Sequence, residues 1–84
     1  MGLSERQLNR AIEHLGAGEW QAAHEIVQQD EDSPLACWAH GIVHIMEGDL
    51  PNARYWYGQA KRAFPSEPDA RAEVAKLAAA LSAK

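Results

Sequence analysis

The sequence predicts an all-α fold of five short helices. Three observations carry that expectation: apolar residues recur at helical spacing, glycine, proline and capping residues interrupt them at regular intervals, and the second half echoes the first. The helices follow in chain order.

Leu8, Ala11, Ile12 and Leu15 mark one face of the first helix, and Ser4 with Gln7 has the form of a capping box. Gly16 and Gly18 end it, because glycine takes the left-handed conformation past a helix terminus without steric cost. A second helix is expected from Glu19 to Gln29, with Trp20, Ala23 and Val27 inward. The acidic stretch Asp30-Glu31-Asp32 reads as a solvated turn. Ser33-Pro34 opens a third helix, from Pro34 to Glu47, that is apolar almost all round, as central helices are. Gly48 stops it. Asp49 caps the fourth helix, whose inner face carries Ala53, Trp56, Tyr57, Ala60 and Phe64, and Pro65 closes it. A last helix is expected from Ser66, with Ala70, Val74, Leu77, Ala78 and Leu81 in one stripe.

At 84 residues the chain has room for one domain. Its apolar share of 46% and charged share of 24% are those of a globular protein, not a disordered one. A net charge of −4 with scattered basic residues argues against nucleic acid, whose phosphates require clustered Lys and Arg. No apolar run is long enough to span a membrane, and the N-terminus lacks a signal-peptide layout. The lone Cys37 requires no oxidising compartment and reads as a small buried filler, so a soluble, cytoplasmic protein is expected.

Residues 34–67 have the length of a helical repeat. Gly41 and His44 take small and aromatic-like positions in its first helix. Ala53, Tyr57 and Ala60 take small, aromatic and small positions in the second, and Pro65 closes it. The first half answers with Gly18-Glu19 for Gly48-Asp49, Ala23 for Ala53, Val27 for Tyr57 and His14 for His44. This pattern resembles the tetratricopeptide family over nearly the whole chain, with Trp38 displaced by one position from the consensus tryptophan, which Cys37 would carry. The resemblance implies an α-α superhelix: a degenerate repeat (4–33), a better one (34–67) and a capping helix (66–84) that shields the stack. A narrower likeness lies in His40-x3-His44-x2-Glu47-Gly48-Asp49-x2-Asn52-Ala53-x-Tyr55-Trp56-Tyr57. It resembles a segment of small helical proteins of bacteria and fungi without assigned chemistry, which often place a basic residue where Ile45 stands.

Two functional classes follow. In the first, the repeat resemblance implies a non-enzymatic module that holds a protein or peptide, helical or apolar, or a second copy of itself. Its concave groove would be lined by Leu8, Ile12, Leu15, Trp38, Ile42, Ile45 and Met46, with Tyr55 as an exposed aromatic contact. The second is a metal site or small enzyme. His40, His44 and Glu47 stand at i, i+4 and i+7 on one helix face, and His24, Glu25 or His14 could add ligands from neighbouring helices. Convergence of these side chains in a cleft would mark the metal class, whereas dispersed histidines beside an open groove would mark the binding class. The binding module is the leading expectation, with no cofactor and no catalytic residue, and a divalent metal is the rival. His24-Glu25 does not continue as a zinc-protease helix, since Gln28 occupies the second histidine's place.

Overall fold

Local chemistry fixes the ends of each element before packing does. The computed structural model describes residues 2–83 and contains α1 (Glu5–Gly16), α2 (Trp20–Val27), α3 (Pro34–Glu47), α4 (Leu50–Gln59) and α5 (Ala70–Ser82), with no strand among the described residues. The fold is all-α.

Ser4 Oγ accepts the Gln7 amide at 3.1 Å while the Gln7 side chain accepts the Ser4 amide at 3.0 Å, completing the capping box. Asp49 and Asp69 cap α4 and α5 through the amides of Asn52 and Ala72, both at 3.3 Å. The turns after α1 and α3 repeat each other thirty residues apart. Gly18 and Gly48 both take positive φ, 77° and 90°. The Glu19 amide donates to the His14 carbonyl at 2.8 Å, and the Asp49 amide to the His44 carbonyl at 2.9 Å. The chain is thus two hairpins, α1–α2 and α3–α4, followed by α5.

Two boundary expectations and one about burial need correction. The fourth helix stops at Gln59, not Pro65: Lys61 turns left-handed (φ 59°) and the Arg62 amide bonds back to the Tyr57 carbonyl at 3.0 Å. The last helix begins at Ala70, not Ser66, because Asp69 supplies the cap. The acidic turn is not wholly solvated either. Asp30 is buried, and its carboxylate accepts the amides of Leu3, Asp32 and Ser33, each at 3.0 Å. It therefore orders the turn leading into α3, whose Ser33 side chain makes no cap bond.

Helix α3 is central, packing on α2, α4 and α5, while α1 packs on α2 and α5. Its residues from Ala36 to His44 are all buried. Gly41 permits the close approach of α4: a Cβ there would stand 2.5 Å from the Tyr57 ring. The core joins Leu8, Leu15, Val27, Trp38, Ile42, Tyr57, Leu77 and Leu81. By burying Leu77 and Leu81 in this core, α5 contributes to the same cluster as the inner faces of α1 and α3.

Candidate functional site: a three-histidine cluster

The packing of α2 on α3 brings His24 up to His40 and His44, which α3 projects one turn apart. One ring nitrogen from each lies within 4.8 Å of the others. His24 meets His40 and His44 edge-on at centroid distances of 4.8 and 5.5 Å, and His40 and His44 stack at 5.2 Å. His40 is 3% exposed and His44 7%, while His24 is half-buried.

The two buried rings are held differently. His44 Nδ1 lies 2.8 Å from Glu47 Oε1. A carboxylate only accepts, so Nδ1 carries the proton and Nε2 keeps a free lone pair. His40 Nδ1 is buried with no hydrogen-bond partner. Its ring instead lies flat against the Trp56 indole, centroids 3.9 Å apart and planes 9° from parallel. Burial and the proximity of His24 and His44 push the His40 pKa down to about 4, so its imidazole is neutral at physiological pH.

Four neighbours complete the description. Asp49 shares a second cluster with His44 and Glu47, their ligand atoms again within 4.8 Å of one another. His14 stands apart, paired with Glu19 at 2.8 Å, and Glu25 is exposed outside the cluster. Cys37 is buried, its Sγ donating to the Glu31 carbonyl at 3.4 Å. Burial and then the acidic side chains of Asp30, Asp32 and Glu31 push its thiol pKa up, which disfavours the nucleophilic thiolate.

The residues expected to line a groove are placed otherwise. Leu8, Ile12, Leu15, Trp38 and Ile42 are buried in the core, Ile45 and Met46 are half-buried against it, and Tyr55 is exposed at 57%. Helix α5 packs against both α1 and α3, and a cleft beside it is lined by Leu15, Met46, Arg71 and Val74.

A second buried polar cluster escaped sequence reasoning. Glu73, 6% exposed, accepts Trp38 Nε1 at 3.2 Å and the Tyr57 hydroxyl, and pairs with Lys76 at 3.2 Å. Arg62 lies over the Trp38 ring at 3.5 Å. Burial alone would raise the Glu73 pKa, but the bonds from Tyr57, Trp38 and Lys76 outweigh it and hold the carboxyl below its usual range. The signal was available: Glu73 stands four and eight residues before Leu77 and Leu81, on the buried face of α5. The Trp56–His40 stack had no such signal, since it joins separate helices.

Comparison of the chain with protein-family models, with curated proteins and with solved structures yields no match.

Proposed function

We propose that this protein binds a transition-metal ion through His24, His40 and His44. The observation that carries the proposal is the convergence of three imidazoles around His40, whose buried Nδ1 lacks a partner. A buried nitrogen left unpaired costs about 1–3 kcal/mol, and such an exception calls for an explanation. An ion bound by His40 would draw on the free lone-pair capacity of these rings.

The donor set favours an ion class. Three neutral imidazoles suit zinc, copper, nickel or cobalt, whereas magnesium and calcium take oxygen ligands. A tetrahedral ion with metal–nitrogen bonds of ~2.0–2.1 Å needs its ligand nitrogens roughly 3.4 Å apart. Separations of up to 4.8 Å would have to close to that value as the ion binds. Glu47 then acts from behind His44, fixing its tautomer and ring orientation, as carboxylates behind metal-bound histidines do. Three protein ligands leave a fourth position on a tetrahedral ion for water or another donor.

The tetratricopeptide-like design belongs to the same proposal: repeated hairpins supply the packed α2–α3 pair on which the ligands sit. The matching turns at Gly18 and Gly48 and the Gly41–Tyr57 contact support it. A partner-binding groove has less support, since most of its expected lining is buried.

Zinc titration in competition with a chromogenic chelator tests the reading. One zinc per chain is expected, with binding lost in His40→Leu and in His44→Leu. At a free zinc concentration about 100 times Kd, the wild type should gain about 2.7 kcal/mol of stability. Equal zinc uptake by wild type and the double variant would refute the assignment.

A further inference from the structure

His40 and His44 present their rings to one point, yet only His44 has a hydrogen bond to orient it. Metal-bound histidines usually donate their second nitrogen to a carboxylate, carbonyl or water, which sets the ring plane. His40 lacks that device. Its plane is set by the indole of Trp56, parallel within 9° at 3.9 Å. Trp56 comes from α4, a helix that contributes no ligand to the three-histidine cluster. It is half-buried, and the exposed Tyr55 ring braces it edge-on at 5.0 Å. A flat stack leaves an imidazole free to turn only within its own plane, so the directions open to its two nitrogens are confined to that plane.

We propose that Trp56 is the positioning residue of the metal site, holding the His40 ring in the ligand plane and so setting the affinity for the ion. The inference rests on the three-imidazole reading above. An aromatic pair of this kind is worth roughly a factor of ten in an equilibrium constant. The cost of losing it falls on metal binding because, without the stack, His40 must be ordered when the ion arrives. α4 would then serve the site from outside the ligand set.

The test is a double-mutant cycle in zinc affinity, with wild type, Trp56→Met, His40→Leu and the double variant, alongside Trp56→Phe and urea unfolding of each metal-free protein. Trp56→Met keeps apolar bulk without a ring face, and Trp56→Leu takes its place if that variant fails to fold. Zinc binding should weaken about tenfold in Trp56→Met. Trp56→Phe should restore most of the affinity, and Trp56→Met should cost nothing further once His40 is absent. A lower urea midpoint with unchanged zinc affinity would make Trp56 a packing residue and overturn the inference. Absence of zinc binding by the wild type would overturn the three-imidazole reading itself, a different and separable failure.

Discussion

The two buried polar clusters share α3 but differ in how completely their atoms are partnered. Trp38 and His40 are two residues apart and leave the helix on opposing sides. On one side Glu73 takes bonds from Trp38, Tyr57 and Lys76, tying α3, α4 and α5 together. On the other, three histidines meet with one buried nitrogen unpaired. A cluster whose members are all satisfied stabilises the fold and needs no further ligand. One left short of a partner costs stability in the metal-free protein, and that cost makes sense if something binds there. Satisfaction, not burial, separates a structural network from a site.

Removing each cluster should therefore have unequal consequences. The largest effect is expected for Glu73→Ala, which strands the Tyr57 hydroxyl and Trp38 N–H in the core. It should destabilise the protein by about 3 kcal/mol in urea unfolding, with Glu73→Gln costing less because it keeps an acceptor. A loss below about 0.5 kcal/mol would mean that α5 docks by apolar burial alone.

Acid should resolve the clusters by pH window. The folded pKa of His40, about 4, lies below its unfolded value of 6.5, so the unfolded chain binds the extra proton first. Stability should fall as pH drops from 6.5 towards 4, by on the order of 2–3 kcal/mol in metal-free protein. Glu73 also has a depressed pKa, so its contribution is present above the unfolded value of 4.5 and is lost only as pH falls through its lower folded pKa. His40→Leu should flatten the upper window and leave the lower one intact.

The smallest effect is the most telling. At neutral pH, metal-free His40→Leu should lie within about 1 kcal/mol of the wild type, on either side, because an unpaired polar group gives way to an apolar one. A loss comparable to that of Glu73→Ala would show that the histidine is structural.

Much of the fold was legible because its signals are local. The capping box at Ser4, the left-handed glycines at 18 and 48 and the aspartate before α4 act within a few residues of themselves. The errors arose where a distant or neighbouring group intervened, as with Asp30 buried under the amides of Leu3, Asp32 and Ser33 or the Arg62 backbone folding onto Tyr57. In the candidate site, the i, i+4 pair His40 and His44 was legible from helical spacing, and Glu47 with it. That His24, and not His14, completes the cluster depends on how α2 crosses α3, and the orienting contact of Trp56 depends on α4; neither crossing is written in the spacing. The burial of the expected groove lining was illegible for a related reason: a stripe of apolar residues does not say whether a partner or the chain's own last helix covers it.

The most direct measurement is the metal content and native mass of the protein purified without a metal-affinity tag, with His40→Leu carried in parallel. One transition-metal ion per wild-type chain, absent from the variant, is the predicted result. A wild type that emerges metal-free and takes up no zinc at equimolar addition would contradict the account.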